Sequence, residues 1–405
     1  MNSGSKRSDR LRIIALGYIV RWPLGGMVWS NLHFLMGLRD LGHEVYYLED
    51  SDDYASCYDP ERCLTDTNPA YGLSFATKVL GRLGFGEHWA FHDAHTSTWH
   101  GPLADKVQSI SRSADVVLNL ACANPLHPWL RDIPKRVYLD EDPAFNQIKL
   151  RTDEKARQRA LAHNVFATFG ENIPRGTSRL PKDELPWVAT RQPVYLPAVP
   201  VQAPRPEGKF TTVMQWQSYK TLEFEGVRYG VKAESFEPLQ NLPATTGPVF
   251  EIAMGGGNVP RGMLRRKGWN LVNPLPLSLD PWTYETFIRE SKAEFGLAKE
   301  GYVVANTGWF SERSACYLAM GRPVLAQETG FSEWLKASDG VVPFSNAAEA
   351  AAGVRAIETN YSHHCLAARS IAEEYFDSRK VLPELIETIY QSTPSQRLAS
   401  CGPAL

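Results

Sequence analysis

The chain has 405 residues, 43% of them hydrophobic and 22% charged, with a formal net charge of -2. That length suits two domains of about 200 residues, each with its own core, and the composition is that of a globular protein. The near-neutral balance argues against a nucleic-acid duplex or an anionic membrane as the main partner, because both require a basic excess or stripe. No apolar run reaches the about 18 residues of a spanning helix, and no apolar signal segment follows the polar residues 1–10. The expectation is a cytoplasmic protein with a flexible start and no transmembrane segment. Six cysteines (Cys57, Cys63, Cys122, Cys316, Cys365 and Cys401) form no Cys-x-x-Cys pair, which argues against a zinc knuckle or a disulfide scaffold.

In chain order, residues 12–17 predict a buried strand, followed by a loop containing Gly25 and Gly26. A helix over 28–41 and a strand over 44–48 complete a strand-helix-strand unit. The loop lacks Gly-x-Gly-x-x-Gly, so no dinucleotide fingerprint is present. Its two glycines can let backbone approach a ligand, or simply form a turn. Residues 51–100 are aromatic-rich, with weak periodicity. Short buried strands follow at 115–120, 136–139 and 165–169, with an amphipathic helix over 152–162. The alternation predicts a doubly wound parallel sheet, whose ligands sit beyond the carboxyl ends of the strands.

Four prolines between 194 and 208 mark a semi-rigid linker, and the domain boundary is placed near residue 200. The second half repeats the pattern, with strands at 211–215, 249–253 and 293–297 and helices at 282–291, 347–358 and 365–375. Lys220 follows its first strand; Gly256, in a run of three glycines, and Arg261 follow the next. Glycines after a strand permit close backbone approach, and the cations can neutralise phosphate, although both also suit a solvated turn. A last helix runs from 379 to 390, and residues 391–405 are expected to be a loose tail.

The most informative stretch is Ser311-Glu-Arg-Ser-Ala-Cys-Tyr-Leu-Ala-Met-Gly-Arg-Pro-Val324. Ser311 can cap a short helix, Gly321 can end it and Pro323 cannot continue it. The amides of the helix start, Ser311, Glu312, Ser314 and the guanidinium of Arg313 together suit a phosphate or pyrophosphate, although an ordinary surface helix begins in the same way.

Two similar sheets joined by a proline linker, a terminal helix able to cross back, and this segment resemble the GT-B glycosyltransferases, in the group-1 and spore-maturation-protein-like branch. The match is clearest over residues 282–375. The resemblance implies two Rossmann-like doubly wound α/β domains facing across a cleft: residues 11–200 for an acceptor, 201–378 for a nucleotide-sugar donor, and helix 379–390 crossing back. It implies transfer of a sugar from a nucleotide-diphosphate sugar to a hydroxyl or amine of a small molecule or glycan, with the donor as co-substrate and no cofactor. Thr329 and Gly330 fall near the donor sugar or diphosphate. Retaining members often carry two glutamates eight positions apart, but Gly308 and Cys316 stand there, with Glu312 one turn earlier.

No Asp-x-Asp metal signature stands on an obvious site, so helix amides and cations are expected to hold the leaving pyrophosphate without a metal. Asp140, Glu141 and Asp142, in the loop after a strand, are candidates for the base that takes the acceptor proton. His100 competes for that role. With His92, Asp93 and His95 it forms a cluster of the kind that can hold a metal, yet its spacing fits no known site, and the expectation is none. An epimerase acting on the nucleotide sugar, or a silent binding module, are the alternatives.

Overall fold

The computed structural model describes residues 10–337 and 339–392. All but three residues of the flexible start and loose tail expected above (Arg10, Gln391 and Ser392) lie outside that range. The first sheet has eight strands, in the spatial order Trp187–Ala189, Val165–Thr168, Lys135–Asp140, Val116–Asn119, Arg12–Leu16, Glu44–Asp50, Trp89–Asp93 and Thr98–His100. All pair in parallel except the last, which runs antiparallel along the edge with His100 opposite Phe91. The second sheet has six parallel strands, in the order Asn270–Val272, Phe250–Gly255, Phe210–Gln215, Ala293–Gly296, Val324–Gln327 and Val341–Phe344. Central strands such as Val116–Asn119 are buried throughout. Their unbroken apolar character follows from helices covering both faces.

The stretch between Ala189 and Phe210 carries no strand of either sheet. The two halves nevertheless share one apolar cluster, in which Ile13, Trp29 and Phe34 of the first meet Tyr284, Phe310 and Ala315 of the second. The helix Gly25–Asp40 begins earlier than expected, so Gly25 and Gly26 form its first turn rather than a loop. At the other end of the chain, a π turn at Ala372–Phe376 redirects the backbone into the helix Ser378–Gln391. That helix returns to the first half: Arg379 meets Asp40 at 2.8 Å, and a Cβ at Gly37 would fall 2.6 Å from Leu382 Cδ1.

Candidate functional site

The helix Glu312–Ala319 starts at the carboxyl edge of the second sheet, where Ser311 Oγ accepts the Arg313 amide at 3.2 Å. Arg313 itself departs from expectation. Its guanidinium is not free for an anion: Nε donates to Glu294 Oε1 at 2.6 Å and an Nη donates to the Val213 carbonyl at 2.9 Å. Glu294 lies fully buried in a central strand, where a carboxylate without a cation would be very costly, so Arg313 turns inward. Ser311 and Ser314 are buried as well, and at the helix start only Glu312 keeps partial access to solvent.

Glu312 faces Glu141 of the first half. Of the three loop acids, Glu141 alone has a setting suited to proton transfer. Burial pushes its carboxyl up to about 8, and the charge of Glu312 adds to the shift. Tyr18 OH donates to Oε2 at 3.3 Å, while Oε1 is buried. The other two acids are occupied, so neither stands as a base. Asp140 is fully buried and accepts from Asn146, Gln147 and Thr168 at 2.7 Å each, which orders the loop. Asp142 receives Lys299 Nζ at 2.7 and 2.9 Å and the Tyr302 hydroxyl, tying the two halves together. His100, on the outer edge strand, packs against the Phe91 ring, five strands from the strand that leads into Glu141.

Lys232, which opens the short helix Lys232–Phe236, completes the cleft. Burial pulls its ammonium down to about 7, nearby Arg313 pulls the same way and Glu312 opposes. Among the described residues Lys232 makes no ion pair. Nothing in the sequence marks it, because one lysine after a Gly-Val turn has no pattern to distinguish it. Tyr18 was equally silent. Behind them, Gly26, Trp29, His33, Tyr284, Glu312 and Cys316 line a pocket. Burial lowers His33 to about 3 and raises the Cys316 thiol, so their 3.5 Å contact is between neutral groups.

Of the predicted donor-binding residues, Gly25, Gly26 and Gly330 serve the seam between the halves instead, and Thr329 is held within the second half. A Cβ on Gly25 would lie 2.3 Å from the Asp280 carbonyl, and one on Gly26 2.9 Å from the Tyr284 ring. Both glycines therefore admit protein rather than ligand, and beside them Trp29 Nε1 donates to the Pro281 carbonyl at 2.7 Å. Thr329 is buried, with its hydroxyl on the Trp309 carbonyl at 2.5 Å. Gly330, at φ +93°, accepts Asn172 Nδ2 at 3.1 Å, and a Cβ there would collide with that amide. Lys220 and Gly256 stay exposed at the carboxyl edge of the second sheet, and Arg261 braces that glycine loop by donating to the Met254 carbonyl at 2.8 Å.

No protein-family model and no curated protein matches the chain. Solved structures do. An α-glucosyltransferase in complex with UDP-glucose and DNA containing an abasic site aligns with a TM-score of 0.58 at 11% identity, over 94% of this chain and 100% of that one. HepE from Anabaena, in complex with UDP and glucose, gives 0.55 at 14% identity over 94% and 99%. AviGT4, a glycosyltransferase involved in avilamycin A biosynthesis, gives 0.52 at 12% over 96% and 99%. The fold is therefore the GT-B arrangement of two facing α/β lobes.

Proposed function

We propose that the chain transfers a sugar from a nucleotide-diphosphate sugar to a hydroxyl or amine of a small-molecule or glycan acceptor. The observation that carries this reading is the meeting of Glu141, Glu312 and Lys232 at the carboxyl edges of two facing sheets, where such folds place their ligands. The second half, residues 201–378, takes the donor. Lys232 and the start of helix Glu312–Ala319 receive the diphosphate, and the exposed Gly256 loop with Lys220 and Arg261 lies where the nucleoside extends. A buried ammonium and helix amides stabilise the negative charge that grows on the leaving group, which asks for no metal at that point.

The first half, residues 11–200, presents the acceptor. Glu141, whose affinity for a proton is matched to near-neutral pH, takes the proton of the attacking group, and Tyr18 orients it. Cys316 stands where related enzymes carry a ribose-binding glutamate, so that contact falls to another group in this chain. The DNA bound by one structural neighbour is said of that protein alone, and the near-neutral net charge of this chain favours a small-molecule or glycan acceptor.

The test is a panel of nucleotide-diphosphate sugars scored by thermal shift and by release of nucleotide diphosphate. At least one donor should raise the melting temperature and turn over slowly, faster with its acceptor. Glu141→Gln should keep donor binding and lower kcat by roughly 100-fold or more. Stabilisation by no donor in the panel, or full turnover in Glu141→Gln, would overturn the proposal; appearance of a new nucleotide sugar without acceptor would replace it with epimerisation.

A further inference from the structure

Three residues far apart in the chain converge at the carboxyl edge of the first sheet. Asp50 ends the strand Glu44–Asp50, His92 lies in Trp89–Asp93, and His127 precedes the turn Pro128–Leu130. His92 Nδ1 and His127 Nε2 both sit 2.6 Å from the same atom, Asp50 Oδ2. We propose that Asp50, His92 and His127 bind a divalent transition-metal ion, with zinc the best match.

Charge comes first. The Asp50 side chain is 7% exposed, and among the described residues no Lys or Arg pairs with it. Buried carboxylates are ordinarily paired or coordinate a metal. The neighbouring cations are committed elsewhere, Arg21 to Glu49 and Arg159 to Asp52. The two partners of Asp50 at 2.6 Å are imidazoles, the commonest side-chain ligands of such an ion.

Geometry comes second. The three donor atoms lie within 4.8 Å of one another. A tetrahedral ion with bonds of about 2.0–2.2 Å holds its donors roughly 3.3–3.6 Å apart, so each imidazole nitrogen has to draw back from Asp50 Oδ2 by about 0.7–1 Å. Two nitrogens and one oxygen favour zinc and its neighbours over magnesium or calcium, which prefer oxygen alone. Three protein ligands leave a coordination position open.

The surroundings hold the ligands in place. Asp50 Oδ1 accepts the Asp52 amide at 2.6 Å, and the Asp50 amide donates to Asn124 Oδ1 at 2.8 Å. The His127 ring stacks on Trp129 at 5.4 Å, and the His92 ring lies 4.8 Å from Trp99. Such fixed outer contacts are what orient the ligands of a metal site. The sequence places His92 beside Asp93, His95 and His100, but those three are not its partners. Asp93 holds Ser56 and Thr96, His95 bonds the Tyr54 carbonyl, and His100 faces Phe91.

Three strand spacings of about 4.8 Å separate the ends of the strands leading to Asp50 and Glu141, roughly 14 Å in all. The ion is thus remote from the proposed diphosphate, and this site stands or falls independently of the donor reading.

The test uses full-length protein freed of metal with a chelator and titrated with Co2+, followed by its ligand-field absorption, then with Zn2+ by calorimetry. Wild type and His95→Ala should each take up one equivalent. His92→Ala and His127→Ala should each bind about 100-fold more weakly or worse while melting like the metal-free wild type. If either alanine variant fails to fold, Asp50→Asn, which keeps the side-chain shape, carries the same expectation. Absence of stoichiometric uptake by wild type, or equal uptake by the ligand variants, would overturn the proposal.

Discussion

At the scale of single residues, the cleft is defined by two groups whose proton affinities are moved toward neutrality from opposite sides. Lys232 falls from 10.5 to about 7, so the free protein releases its proton above that pH while a bound diphosphate restores it. Donor affinity should therefore be flat below pH 7 and weaken by up to about tenfold per unit above it. Lys232→Met should weaken nucleotide diphosphate binding by about 1.5 to 3 kcal/mol at pH 7 and remove the slope, both read by calorimetry. Glu141 moves the other way, from 4.5 to about 8. A group whose folded-state pKa is raised lends stability that is whole below its unfolded value and lost as pH rises through the folded one. Glu141→Gln should accordingly melt higher than wild type above pH 8, read by thermal unfolding across a pH series. Neither shift is legible in the sequence, because both are products of burial among residues from distant parts of the chain.

At the scale of elements, the helix Glu312–Ala319 was legible because its boundaries are written locally: a serine cap at one end, and Gly321 and Pro323 at the other. The direction of Arg313 was not, since Glu294 comes from a strand 19 residues earlier. Arg313→Ala should cost about 3 to 5 kcal/mol in urea unfolding by leaving that carboxylate buried and unpaired. Replacing the pair together, as Arg313→Met with Glu294→Leu, should cost clearly less. The same contrast separates the strands. Arg12–Leu16 is an apolar run flanked by turn signals, whereas Asn270–Val272 and Val341–Phe344 are too short to show a period, and Trp89–Asp93 ends in polar residues, of which His92 answers to Asp50. Gly25 and Gly26 were misplaced because helix starts and glycine turns share composition; only the Asp280–Tyr284 segment packed against them explains their size.

At the scale of the whole molecule, the two-sheet architecture followed from repeated alternation of strand and helix, but the seam did not. It is built from long-range pairs: Asp142 with Lys299 and Tyr302, Asn172 with the Gly330 loop, and Trp29 with Pro281. The loop acids after strand Lys135–Asp140 therefore divide their labour, one facing the cleft, one clasping the opposite half and one buried. Asp142→Asn should loosen the clasp while leaving Glu141 in place. Small-angle scattering should show a larger radius of gyration, and donor KM should change more than kcat.

The helix Ser378–Gln391 has a practical corollary for anyone who wishes to dissect the protein. Its inward stripe of Val381, Leu382, Leu385 and Ile389 is buried, and it rests on the helix Gly25–Asp40 and the strand Lys135–Asp140. A fragment cut after residue 190 would carry a bare greasy strip where this tailpiece belongs, and would tend to clump. Splicing residues 378–392 onto that fragment is the simplest way to obtain it as a well-behaved free-standing half.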